Sequence, residues 1–359
     1  MPAETTLFPT SVVGSMPRPD FVRELVAGDV DLPPEAYEER MAAAVRYVVA
    51  LQEQAGLDVV SDGEWRRRSY IGVIAELAHG FELSRSADGR PMTVVVEPLA
   101  PRDPGFIARE IAFLKASSSR SIKATLPAPA LLGERLWDPE KSAKAYPARD
   151  DFVRACVPIL HREIELLLRE NVDIIQIDDP HLCLFVDPDV RAAYDDPDKA
   201  ADFAVDTVNQ LVEDIDFAGA GARAAVHLCR RAGARARNEL RHSGSYDLIL
   251  PQLNRLAVDH LTMEYATPGA GEMAVLGQLR EDFEIGLGCV SCAPGEIDAA
   301  EQIVERVESA CRHLAPERIT LNPDCGFAPG SAAAVSLDEV YTKLKSEVEA
   351  AHRLREKFG

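Results

Sequence analysis

Short apolar runs alternate along the chain with longer stretches of helical periodicity. Eight runs have the length and the Val, Ile and Leu content of β-strands: residues 10–14, 57–61, 121–126, 173–178, 222–228, 260–264, 283–288 and 318–322. Most lack a clean in–out alternation, as expected of strands buried on both faces of a parallel sheet. Between them, residues 35–55, 150–170 and 199–217 carry apolar side chains at helical spacing. Residues 243–256, 271–281 and 296–314 can be read the same way, and 337–356 forms a strongly amphipathic helix after the last run.

Alternating strands and helices predict an α/β fold, and eight units predict a single-domain (β/α)8 TIM barrel over 1–359. An open doubly wound sheet is the rival. The barrel is preferred because Ser15, Glu64, Asp178, His227, Cys229, Glu264 and Cys325 all fall at or just past the C-terminal ends of the runs. That edge is where barrels build their active sites. Residues 78–116 fit no strand–helix unit; with Asp88-Gly89 and several prolines they read as a hairpin or lid inserted over the barrel mouth. No composition shift marks a linker and no internal repeat is visible.

Four of these residues make a metal-ligand set. His227 and Cys229 lie two apart, so on extended backbone their side chains share a face. Glu264 closes 260–264, and Cys325 follows 318–322 in Asn322-Pro323-Asp324-Cys325-Gly326. An imidazole, two thiolates and a carboxylate are donors that Zn2+ prefers. Taken alone, His227-Leu228-Cys229 could be a buried thiol beside a hydrogen-bonded histidine; four such residues on one edge favour the ion. A displaceable position on that zinc would bind an external thiol. Its pKa would fall well below the free value of about 8.5, which suits alkyl transfer to sulfur.

Two acidic motifs share the edge, Asp62-Gly63-Glu64 and Asp178-Asp179-Pro180. Glu64 and Asp178 could hold a substrate ammonium or exchange a proton with the substrate. Asp179 could join them, or cap a helix that begins at Pro180. Arg66-Arg67-Arg68 and Arg230-Arg231 read by default as solvated surface. Yet Arg66 stands two residues past Glu64 and Arg230 next to Cys229, where either could clamp a carboxylate or sulfonate. Cys289-Val290-Ser291-Cys292 has the spacing of a redox pair without thioredoxin-like surroundings, and is read as structural.

Composition narrows the partners. A chain of 359 residues with 47% hydrophobic and 27% charged residues can bury a large core. Its formal net charge of -20 argues against nucleic acid and anionic membrane surfaces. No run of about 18 apolar residues suggests a membrane span, and no signal peptide is expected. Seven scattered cysteines, an odd number, look like reduced thiols of a cytoplasmic protein. Small molecules are the expected partners, and a homo-oligomer is compatible with the sequence.

Together Val13-Gly14-Ser15, Asp62-Gly63-Glu64, Gln176-Ile177-Asp178-Asp179-Pro180, His227-Leu228-Cys229, Glu264 and Asn322-Pro323-Asp324-Cys325-Gly326 resemble, in order and spacing, the C-terminal catalytic half of cobalamin-independent methionine synthase. The resemblance implies a (β/α)8 barrel with Zn2+ at its mouth, held by His227, Cys229, Glu264 and Cys325. It implies that Ser15, Glu64 and Asp178 hold homocysteine by its carboxylate and ammonium, and that its metal-bound thiolate takes a methyl group. The additional N-terminal barrel of full-length synthases has no counterpart in these residues. Where those synthases carry Asp-x-His after Gly-Leu-Gly, this chain reads Gly286-Leu287-Gly288-Cys289-Val290-Ser291-Cys292. The histidine associated with protonating a folate leaving group is thus missing. The folate-side segment also differs, reading Leu126-Pro127-Ala128-Pro129-Ala130-Leu131-Leu132 with Trp137 further on. The methyl donor is therefore left open among a folate, a methyl-corrinoid protein and another small compound. Two alternatives stand beside this reading: an epoxyalkane–coenzyme M transferase, with Arg66, Arg230 or Arg231 on the sulfonate, and a non-catalytic zinc-stabilised binding protein. The metal-free uroporphyrinogen decarboxylases share the fold but leave the His/Cys/Glu/Cys set unexplained.

Overall fold

The computed structural model describes residues 6–28, 30–85, 91–231, 242–328 and 335–359. Its strands, in chain order, are β1 (Val59–Val60), β2 (Ala78–Arg85), β3 (Pro91–Pro101), β4 (Ser121–Pro127), β5 (Ile174–Asp178), β6 (Arg223–Leu228), β7 (His260–Glu264), β8 (Glu284–Val290) and β9 (Ile319–Pro323). Seven join one parallel sheet in the order β1-β4-β5-β6-β7-β8-β9, and β2 and β3 pair as a separate antiparallel hairpin. The α/β class is as expected. Residues 10–14, expected as the first strand, are reduced to two isolated parallel bridges, from Thr10 to Leu321 on β9 and from Ser11 to Val59 on β1. The N-terminal segment thus touches both edge strands of the sheet.

The strands do alternate once their register is known. Leu126, Ile177, Val226, Leu261, Ile285 and Ile319 form one apolar row across the sheet. The next row runs Pro127, Asp178, His227, Thr262, Gly286 and Thr320. Apolar rows face the surrounding helices, and polar side chains collect on the opposite face. Because nearly all are buried, the pattern in the sequence is of continuous burial.

Helices Pro34–Ala55, Arg149–Arg169, Pro197–Val212, Ala300–Ala310 and Leu337–Phe358 match the expected segments. The helices read over 243–256 and 271–281 shrink to single turns, Tyr246–Ile249, Leu250–Leu253 and Met273–Gln278. Pro251 in the first lacks a backbone donor, and Gly271 at φ +83° opens the second off the helical path. Within 78–116, only the hairpin is an addition: Phe106–Ser117 is a helix packed on β4. Its first turn is capped by buried Glu163, which accepts from the N–H groups of Gly105, Ile107 and Ala108 at 2.6, 2.7 and 3.0 Å. Asp88-Gly89 lies outside the described residues. Among those described, no helix is long and apolar enough to cross a membrane.

Candidate metal centre

His227, Cys229 and Cys325 each offer a ligand atom within 4.8 Å of the others, and all three are buried. β6 supplies the first two. Parallel register places His227 opposite Asp178 on β5, and His227 Nδ1 lies 3.0 Å from Asp178 Oδ1. The same oxygen accepts from Gln176 Nε2 at 2.7 Å. A carboxylate at Nδ1 fixes the proton there and turns Nε2 into the free lone pair. That Nε2 is buried and has no hydrogen-bond partner of normal geometry among the described residues.

Cys325 arrives from the loop after β9, which is tied down on three sides. Asp324 Oδ1 accepts from the N–H groups of Tyr265 and Ala266 at 2.9 Å each, just past the end of β7. Asp324 N–H donates to Val290 O at 2.9 Å, and Phe327 N–H to Ser15 O at 3.0 Å. Gly326 leaves room for the Ser15 hydroxyl as placed: a Cβ there would stand 2.2 Å from Ser15 Oγ. The loop delivers Cys325 Sγ to 3.4 Å from Cys229 Sγ. Two thiolates on one tetrahedral zinc, each at about 2.3 Å, stand a little under 4 Å apart.

The electrostatics call for a cation. Contact with Cys325, burial, and the charges of Cys325, Glu264 and Cys183 together push the Cys229 thiol well above its ordinary range. Burial opposes a charged His227 ring, but Asp178 and Cys325 outweigh it and raise its pKa to about 10. So many acidic groups around one buried point cannot all ionise alone, and a divalent ion reverses that. Donor types, spacing and the buried Nε2 of His227 therefore fit a zinc ion.

The other sequence candidates divide. Glu264 falls outside the 4.8 Å group. Its Oε2 faces buried Arg230 Nη1 at 3.5 Å, and its N–H donates to the Tyr246 hydroxyl at 2.9 Å. Arg230 is not a free clamp. Its Nη2 donates to Gly244 O and Ala270 O at 2.7 and 3.1 Å, and its guanidinium lies 4.1 Å over the Tyr246 ring. Arg66 pairs with Glu38 at 2.8 Å and stacks on Phe113, so it serves the outer helices. Asp179 caps the short helix Pro180–Leu184 by accepting from Leu182 N–H at 2.9 Å, the structural option left open by the sequence. Ser15 and Glu64 are buried beside Gly326 and Thr125 respectively. Burial lifts Glu64 to about 7, Asp178 and Asp62 adding to the rise while Arg67 and Thr125 oppose it.

Three residues at the site carried no such signal in the sequence. Tyr70 sits near both thiols: burial and then Cys229 raise its pKa, with Asp178 and Cys325 adding. Tyr246 holds the Glu264 backbone from a segment expected to be plain helix. Arg67, from a basic run read as solvated, is buried and paired with Glu110 at 3.0 Å.

A family model described as cobalamin-independent synthase, catalytic domain, matches residues 8–122 and 142–353. The chain belongs to that family. It is 26% identical over 363 residues to a methionine synthase of Saccharolobus islandicus (strain Y.N.15.51 / Yellowstone #2), covering 98% of this chain and 96% of that protein. A methionine synthase of Sulfolobus acidocaldarius is 26% identical over 336 residues, covering 91% and 88%. Among solved structures, a B12-independent methionine synthase from Shewanella sp. W3-18-1, in complex with selenomethionine, superposes with a TM-score of 0.77 at 22% identity, covering 98% of each chain. A methyltransferase from Methanosarcina mazei gives 0.57 at 16% identity, covering 97% and 94%. At such identities the likeness is one of fold.

Proposed function

We propose that this chain is a zinc-dependent methyltransferase that converts homocysteine to methionine. The observation that carries the reading is the buried His227, Cys229 and Cys325 group, with Asp178 behind His227, in a member of this family. Its relatives named as methionine synthases, matched over nearly their whole length, support the substrate. Those three residues would hold Zn2+, which supplies a Lewis acid that keeps a substrate thiol deprotonated and nucleophilic near neutral pH. Asp178 orients the imidazole. Ser15, Glu64 and Asp178 surround the place where the resemblance puts the carboxylate and ammonium of the amino acid. Burial of the whole cluster excludes water, the competing acceptor of the methyl group. The same reading takes Thr10 and Ser11, bridged to both edge strands, as the eighth stave of a (β/α)8 barrel. Free thiols throughout suit a cytoplasmic enzyme.

The coenzyme M alternative loses two of its sulfonate anchors, since Arg230 and Arg66 are engaged elsewhere. A closed structural zinc site needs a fourth side-chain donor, whereas the group within 4.8 Å of one another among the described residues is His227, Cys229 and Cys325. The test is turnover of homocysteine with a panel of methyl donors (a methylfolate, a methyl-corrinoid and simple methyl compounds), with methionine read by mass spectrometry. Cys325→Ser is expected to lose zinc and product together while staying folded. Undiminished methionine formation by Cys325→Ser, or binding of coenzyme M without homocysteine, would overturn the reading.

A further inference from the structure

Behind Glu64 runs a chain of buried polar side chains that the roles above leave unused. Glu110, on the helix Phe106–Ser117, accepts from Arg67 Nε at 3.0 Å, and both side chains are almost wholly buried. Arg67 Nη1 donates to the Thr125 carbonyl at 2.9 Å and to Thr125 Oγ1 at 3.0 Å. Thr125 Oγ1 in turn lies 2.9 Å from Glu64 Oε1. A guanidinium has no lone pair to offer, so the Thr125 oxygen must accept from it, and its one proton is left for Glu64. The direction of the chain is therefore fixed. Oε1 of Glu64 is held as an acceptor, and any proton that Glu64 takes up must sit on Oε2.

The backbone is held as firmly. Glu64 has φ +60°, in the left-handed region that a residue with a Cβ avoids. Arg18 Nη2 clamps the turn by donating to Glu64 O and Arg67 O at 2.5 and 2.6 Å, and Asp62 Oδ1 accepts from Glu64 N–H at 2.9 Å. Gly14 lets the pair close up: a Cβ there would stand 2.9 Å from Thr125 Cγ2 and 3.0 Å from Glu64 Oε1.

We propose that Arg67, Glu110 and Thr125 are positioning residues that present Glu64 Oε2 as the acceptor for the substrate ammonium, and so select an α-amino thiol over a thiol without the amine. The inference rests on homocysteine being the substrate. Burial, with the charges of Asp178 and Asp62, favours a protonated and useless Glu64; Arg67 and Thr125 oppose this. Strained placement of an acid with one oxygen already satisfied is the arrangement expected where the other must meet a ligand.

Thr125→Val keeps the shape and deletes the hydroxyl, and Thr125→Ser restores it. Wild type and both variants are loaded with zinc, assayed for metal content, and titrated calorimetrically with homocysteine and with 4-mercaptobutyrate, which lacks only the amine. Thr125→Val is expected to weaken homocysteine about tenfold or more and to leave 4-mercaptobutyrate within about twofold, with Thr125→Ser close to wild type. In turnover the loss should fall on KM, with kcat little changed. Equal weakening of both thiols, undiminished homocysteine binding or loss of zinc by Thr125→Val, or failure of Thr125→Ser to restore binding overturns this inference and leaves the proposed function standing. A zinc-loaded wild type that binds neither thiol overturns both.

Discussion

Asp178→Asn probes the arrangement at its most informative point. The substitution keeps the shape of the side chain and removes its charge. Asp178 Oδ1 takes buried hydrogen bonds from His227 Nδ1 at 3.0 Å and Gln176 Nε2 at 2.7 Å. If the new amide oxygen takes over both, the cost is the difference between a charged and a neutral hydrogen bond, about 1–1.5 kcal/mol. If the amide presents its NH2 to Nδ1 instead, the ring proton moves to Nε2 and the ligand lone pair is lost, which costs more. Zinc affinity should therefore fall at least about fivefold to tenfold in the first case and further in the second, toward the 10–100-fold range typical for losing the partner of a metal-bound histidine. Chelator competition at fixed pH measures it, with Asp179→Asn as control, because Asp179 caps a helix and asparagine caps equally well. The control should match wild type. Wild-type zinc affinity in Asp178→Asn would refute the claim that this carboxylate orients a metal ligand.

Glu64 and Arg230 give further tests. The Glu64 carboxyl is lifted from its ordinary 4.5 to about 7, so the unfolded chain gives up this proton first as pH rises. Its contribution to stability is full below about 4.5 and is lost between about 4.5 and 7, at most roughly 3 kcal/mol. Glu64→Gln is therefore expected to melt up to about 4 °C above wild type at pH 8, with a smaller gap at pH 5, while binding homocysteine more weakly. A gap that does not change with pH would contradict the burial argument. Arg230→Met removes the cation facing buried Glu264 and should destabilise the protein by about 3–5 kcal/mol, read as a lower Tm. An unchanged Tm would mean the pair contributes nothing to the fold.

The strand ends were legible in the sequence because short apolar runs bounded by polar residues survive as strands: 260–264 reappears as β7 without change, and His227, Cys229 and Cys325 meet as their positions predicted. What sequence spacing could not show is competition for partners. Glu264 closes its run like a ligand, and its spacing gave no sign that buried Arg230, from the end of the neighbouring strand, would face one of its carboxylate oxygens at 3.5 Å. Arg67 carries the same charge as its neighbours Arg66 and Arg68, and only the packing of Glu110 against it makes it an interior residue. That Asp178 also backs His227 could not be read from spacing, because only the parallel register sets the two side by side. The polar row was hidden as well, because buried Thr, Gln and His do not announce a solvent face. The short turns at 243–256 and 271–281 follow from Pro251 and Gly271, whose local effects outweigh a weak helical pattern.

X-ray absorption at the zinc edge on purified protein, with metal quantified on the same sample, tests the central claim most directly. One zinc per chain is expected, with two sulfurs at about 2.3 Å and a nitrogen at about 2.0 Å in its shell. A protein that retains no zinc, or a shell without sulfur, would contradict it.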